Sequence, residues 1–256
     1  MAISIDTVYQ KVLALANKEQ RGYITPQEFN LFADHAQKEI FEQYFYDLNQ
    51  FRRVPGNNTE YADMINNLEE KISLFEIYDK DAAVIYNSDS PTGSYGDVKL
   101  NEDFPDLYRL TMVRIRWQGE AGSKVAEEIQ LTELNTYSDS PLVKWSKKRP
   151  VYTRYGPTTM RNQLKVYPYP SSDANIDRVL VSYVRRPEKP NWNYQMVQDK
   201  PFFLNDSNSQ DFELHPSEES ELIYRILALA GISIERPQLI QAAIGLEGAK
   251  VQQEKQ

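Results

Sequence analysis

The 256-residue chain contains no cysteine. Disulfides, thiolate metal sites and cysteine nucleophiles are therefore excluded. Histidine is nearly missing too: His35 and His215 are the only two, so a multi-histidine metal site within one chain is excluded as well. No run reaches the roughly 18 apolar residues of a membrane-spanning helix. The opening MAISIDTVYQ has no basic stretch followed by an apolar core, so no secretory signal is expected. Glycine-rich phosphate loops of the GxGxxG or GxxxxGK[ST] type are absent, as are GxSxG and HExxH. Apolar content is low, with 41% hydrophobic residues and a mean hydropathy of −0.62. The core must be lean.

Aromatic residues are plentiful by contrast, at 12% with 17 tyrosines. That is too many for a chain unable to build a core. Tyrosine suits strands and also surfaces buried by a partner, and both readings stay open. The first 80 residues carry helical periodicity. Ser4 or Asp6 can cap a helix with Ile5, Val8, Val12, Leu15 and Ala16 on one stripe. Thr25-Pro26-Gln27-Glu28 is a capping box, with proline at the first helical position. Phe29, Phe32, Ala33, Ala36, Ile40, Phe41, Tyr44, Phe45 and Leu48 then recur at helical spacing. Val54-Pro55-Gly56-Asn57 breaks the pattern. A third helix aligns Tyr61, Met64, Ile65, Leu68, Ile72 and Phe75 on one face.

Residues 86–97 read as a loop. From about 98 to 185 the period changes to two, around Leu110–Trp117, Val151–Tyr155, Leu164–Tyr167 and Val179–Val184. Turn clusters between such strands predict an antiparallel sheet or small sandwich. Leu131–Tyr137 reads as a short inserted helix with Thr132 as its cap. Pro187–Ser209 reads as a long loop, and Trp192, Tyr194, Phe202 and Phe203 argue that it lies on something. Ser217 can cap a helix carrying Leu222, Ile223, Ile226, Leu227 and Ala230. Pro237 can open a last one with Leu239, Ile240, Ala243 and Ile244. The expected fold class is α+β: a helical bundle from both chain ends with an inserted antiparallel β domain. The expected regions are 1–85 (helical), 98–190 (β), 191–211 (long loop) and 212–256 (helices and tail).

Net charge is −8, from 29 Lys and Arg against 37 Asp and Glu. It is segregated: residues 1–143 carry −11, residues 144–189 carry +8, and residues 190–256 carry −5. A basic sheet between acidic ends could meet a neighbouring copy or nucleic acid. Candidate chemistry is thin. His35 with Glu39 four residues on could be a base and its orienter, but the spacing equally describes a surface helix pair. His215 precedes Pro216 and reads as a loop residue. Glu102-Asp103 with Asp106, and Glu127-Glu128, are acid clusters of the kind that chance produces among 37 carboxylates. Lys144-Trp145-Ser146-Lys147-Lys148-Arg149 could stack on and pair with single-stranded nucleic acid.

Several segments taken together are similar to a known family: Thr25–Ala33 (TPQEFNLFA), Asp103–Leu110 (DFPDLYRL), Leu164–Pro168 (LKVYP), Val181–Trp192 (VSYVRRPEKPNW) and Asp211–Glu219 (DFELHPSEE). With the overall layout they resemble head–tail adaptor (connector ring) proteins of short-tailed bacteriophages. The likeness covers nearly the whole chain, and its motifs mark strand and helix starts rather than a catalytic centre. It implies a non-enzymatic virion structural protein with no cofactor, assembled in the bacterial host cytoplasm. Such a protein forms a homo-oligomeric ring of about twelve copies at the head–tail interface, each using two different faces. Its partners would be the portal protein, a tail tube or nozzle protein, and DNA passing through the channel, with no membrane. The basic residues Lys144, Lys147, Lys148, Arg149, Arg185 and Arg186 and the aromatic Trp192 and Tyr194 would supply subunit or partner contacts. Leu239, Ile240, Ile244 and Val251 would dock on the portal. Alternatives are another tail or nozzle subunit, a nucleic-acid-binding accessory protein using residues 144–189, and a hydrolase using His35 or an acid pair.

Overall fold

A computed structural model describes residues 3–17, 24–53, 59–87, 94–117, 122–156, 163–169, 176–198, 200–233 and 245. The chain divides into two compact units. Unit 1 comprises Met1–Leu74 and Pro187–Gln256, and unit 2 is Phe75–Arg186.

Unit 1 contains α1 (Ile5–Asn17), α2 (Pro26–Arg53), α3 (Thr59–Ser73) and α6 (Glu219–Ser233). On α3 Ile72 is buried and Met64, Ile65 and Leu68 are half-buried, while apolar positions three and four apart give α1, α2 and α6 each a buried stripe. In α2 it is Phe29, Ala33, Ala36, Ile40, Phe41 and Tyr44, and in α6 Leu222, Ile223, Ile226, Leu227 and Ala230. The capping box at the start of α2 is formed. Glu28 N–H donates to Thr25 Oγ1 at 3.3 Å, and Thr25 N–H donates to a Glu28 carboxylate oxygen at 3.0 Å. At α1 Ser4 is the local cap, its Oγ accepting from Thr7 N–H at 3.5 Å, and a distant residue adds to it: Ile5 N–H donates to Asp211 at 2.9 Å, beside a backbone bridge between Ile3 and Phe212. α6 starts through a short 3-10 turn, Pro216–Glu218. His215 caps that turn by accepting from Ser217 N–H, so the expected Ser217 cap lies two residues late.

Pro187–Ser209 is a strap across unit 1, and it is not structureless. It holds the hairpin β10 (Tyr194–Val197) and β11 (Lys200–Phe203). Buried Gln37 on α2 fastens the strap, donating to Glu188 C=O at 2.7 Å while accepting from Glu213 N–H at 3.2 Å. One amide thereby satisfies a backbone group of the strap and one of the segment that follows it.

Unit 2 packs two sheets face to face. One has the order β1-β9-β4-β5 and the other β2-β3-β8-β7-β6. The first consists of β1 (Glu76–Ala82), β9 (Ile176–Arg185), β4 (Leu107–Trp117) and β5 (Ser123–Val125); the second of β2 (Val84–Asn87), β3 (Tyr95–Lys99), β8 (Gln163–Tyr167), β7 (Val151–Tyr155) and β6 (Glu127–Glu128). Alternation puts Val113, Ile115, Trp117, Val179, Val181 and Tyr183 against Val98, Tyr152, Leu164 and Val166 in one core. Two short helices, α4 (Leu100–Asp103) and α5 (Leu134–Asp139), join strands. Gly96 on β3 has a steric reason: a Cβ there would lie 2.6 Å from both Tyr169 Cδ2 and Val84 Cγ1.

These observations correct the expected fold class. The chain is mixed α and β, with about 41% helix and 34% strand and with eleven strands in three sheets among the described residues. Six helices there, two of them very short, do not make a helical bundle from both ends. Helical pattern ends at Ser73, and β1 and β2 occupy residues assigned to the first helical region. The sheets are also not wholly antiparallel, because β6 pairs with β7 in parallel. No helix among the described residues is long and apolar enough to cross a membrane.

Candidate interaction surfaces

The basic run Lys144–Arg149 follows α5 in unit 2 as a braced turn. Lys144 N–H donates to Ser140 C=O at 3.0 Å, and Ser146 and Arg149 form a backbone bridge. Trp145 is half-buried 4.8 Å from the Tyr167 ring, so it is a packing residue rather than an open stacking platform. Arg149 Nε and Nη2 both donate to Glu127, at 3.1 and 2.8 Å. Lys147 Nζ sits 5.6 Å over the buried Trp117 ring. Lys144 and Lys148 are exposed, and neither has an ion pair among the described residues.

Arg185 and Arg186 do not join this cluster. Arg185 pairs with Leu107 at one end of the β4–β9 ladder, while Lys147 lies over Trp117 at the other. At 3.2–3.4 Å per residue along β4 the two ends are roughly 30 Å apart. Arg185 stacks 5.8 Å over Phe75, and Arg186 N–H donates to Asp106 C=O at 2.7 Å.

Charge that is segregated along the chain is largely mixed by folding. Arg114 pairs with Asp79 at 2.8 Å, Arg178 with Asp81 at 3.0 Å, and Arg154 with Glu128 at 2.9 Å. Unit 2 has 16 Lys and Arg against 15 Asp and Glu, net +1, which leaves −9 for unit 1. The basic segment is one part of a nearly neutral unit.

Trp192 is 2% exposed. Its ring lies 4.3 Å from Tyr9 and is stacked 5.8 Å from both Tyr194 and Phe203. Its Nε1–H donates to Asp6 at 3.0 Å. It is a core residue of unit 1, which corrects its expected place at a partner surface. Tyr194 is half-buried, and its hydroxyl accepts from Gln27 at 3.4 Å. The hairpin beyond exposes Met196, Val197 and Phe202. Leu239, Ile240, Ile244 and Val251 lie outside the described residues.

Groups capable of chemistry have structural partners. His35 and Glu39 form an exposed pair at 3.1 Å. Glu102 pairs with Lys99 at 3.1 Å, Asp103 accepts from Ala83 N–H at 3.2 Å, and Asp106 accepts from Tyr183 Oη–H at 3.0 Å. Burial and that bond to Asp106 hold the Tyr183 phenol protonated well above its ordinary range, and Tyr155 beside Asp97 is shifted the same way. His215 Nδ1 lies 2.9 Å from Ser217 Oγ, but Glu218 accepts from that serine rather than orienting the histidine. A nucleophile–base–orienter relay needs the carboxylate on the base, so the three do not form one.

The sequence did not point to a cleft of about 440 Å³ in unit 1, between α2 and α3 beside the His215 turn. Its lining includes the apolar Phe51, Met64 and Leu68 and the charged Asp47, Glu70 and Lys71. Lys71 is neutralised by the buried Glu218. The sequence signal is faint: Met64 and Leu68 lie on the apolar stripe of α3, where their spacing marks them as core rather than as the lining of a cleft.

No protein-family model matches this chain, and no curated protein matches it.

Proposed function

We propose that this chain is a structural protein of a tailed-phage virion, assembled as a ring beneath the portal where it connects head to tail and extends the DNA channel. The observation that carries the reading is the division of charge between the units, −9 against +1. Closing a ring requires two different faces per subunit, and an acidic unit together with a second unit that carries exposed unpaired lysines offers them. Opposite charge on such faces favours the correct register. The structural employment of the histidines and acid clusters further supports a non-enzymatic role. The pairing of Arg149, Arg154, Arg178 and Arg114 gives the nucleic-acid reading less support.

Mass analysis of purified particles tests this. About a dozen copies per particle, next to the portal, are expected. A position further down the tail would make it a tube or nozzle subunit instead. Absence from particles would overturn the reading.

A further inference from the structure

We propose that the Leu142 turn of one copy docks into the α2–α3 cleft of a second copy, making the head-to-tail contact of the assembly. This rests on the ring reading and names the surfaces that would close it. Leu142 is 93% exposed, the most exposed large apolar residue among the described ones. A lone exposed leucine needs no explanation in general. This one sits at the tip of a turn held on both sides, by the Lys144–Ser140 backbone bond, the Ser146–Arg149 bridge, the Arg149–Glu127 pair and Trp145 packed on Tyr167. Such a turn loses little conformational freedom on binding.

The cleft complements it in shape and charge. Phe51, Met64 and Leu68 in its lining offer an apolar seat, and its volume of about 440 Å³ exceeds what one leucine fills, leaving room for the flanking side chains. Counting Asp47, Glu70, Lys71 and the Glu218 paired with it, the site carries two net negative charges. The turn offers Lys144 and Lys148, both exposed and without ion pairs among the described residues. An apolar tip with two cations beside it in the chain therefore meets a cleft with apolar lining and a net negative charge. Because knob and cleft differ, the contact is heterologous and propagates from copy to copy, closing where the rotation permits.

The cysteine-free sequence gives a clean test. In the full chain, Leu142→Cys is combined with Asn67→Cys at the cleft, both at exposed positions, and the purified protein is mildly oxidised at high concentration. A ladder of disulfide-linked oligomers from the double variant, absent from either single variant, is expected. No linked species, or a link formed only within one copy, would overturn the contact. Lys144→Glu with Lys148→Glu in that background should lower the linking rate about tenfold, and adding Asp47→Lys with Glu70→Lys should restore it. An unchanged rate after the first reversal would overturn it equally. A ladder from a protein missing from particles would keep the contact and remove the virion reading. Copies in the particle without a ladder would do the reverse.

Discussion

Trp192 shows how far a residue's role is set by neighbours remote in sequence. Its loop context argues that it lies on something, and the family likeness places it at a partner surface. Its ring is instead enclosed by Tyr9 and Phe203, and its N–H is taken by Asp6, 186 positions away. Trp192→Ala would leave a cavity where the strap crosses the helices and should cost about 3–5 kcal/mol. Trp192→Phe keeps most of the ring and loses the bond to Asp6, so it should cost about 1 kcal/mol. Lys147→Ala, on the exposed basic turn, should stay within about 0.5 kcal/mol of the parent. Denaturant unfolding of the three variants measures this order. Equal, small losses for all three would return Trp192 to the surface. Of the two residues able to cap α1, Ser4 does so and Asp6 serves the indole. Asp211 adds a second acceptor at that helix start from the far end of the chain. Neither the Asp6 bond nor the Asp211 bond has a signal in local sequence, because each depends on which distant segment arrives.

At the scale of the element, α2 is governed by its first turn. Two bonds from Thr25 to the Glu28 carboxylate hold Glu28 below the ordinary 4.5. A carboxylate depressed in the folded state contributes stability above its unfolded value and loses it as pH falls through the lower folded value. Thr25→Ala should therefore cost about 1 kcal/mol at neutral pH, and the difference from the parent should shrink below pH 4.5. Thermal melts across acidic pH check this, and a pH-independent loss would assign the effect to the Glu28 N–H bond to Thr25 Oγ1 rather than to the carboxylate. α1, α2, α3 and α6 were legible because their apolar spacing is helical and their starts carry caps or turn residues. The long strands β4 and β9 were legible from their alternation. β1 was not: its sequence EIYDKDA places Asp79, Lys80 and Asp81 on an open sheet edge. Charges on an edge strand discourage pairing with other chains, and they also erase the apolar alternation by which a strand is read. β10 and β11 are four residues each, too short for a period to stand out, and β6 is a two-residue parallel addition. Helix reads past its end and strands reads as loop together produced the bundle that the structure replaces. The cleft was illegible for another reason, since it needs α2, α3 and the His215 turn side by side.

For the whole molecule, the entry and exit of unit 2 are adjacent. β1 and β9 pair from Glu76 with Val184, and Arg185 N–H donates to Phe75 C=O at 2.8 Å. An insertion whose ends already touch adds little loop-closure cost to the unit that carries it. Unit 2 also has its own core, with both sheets contributing fully buried side chains. Residues 75–186 expressed alone should therefore fold, showing strand-dominated circular dichroism and one cooperative unfolding transition. With a net charge of only +1 the fragment has little self-repulsion to keep it dispersed near neutral pH, so its solubility should be lower there than that of the full chain, which carries −8. A broad, non-cooperative melt would show that unit 2 depends on the rest of the chain. A cooperative one would mean that unit 2 is a stable body by itself, so that assembly contacts on its basic turn can be changed in a fragment whose folding does not depend on the acidic unit.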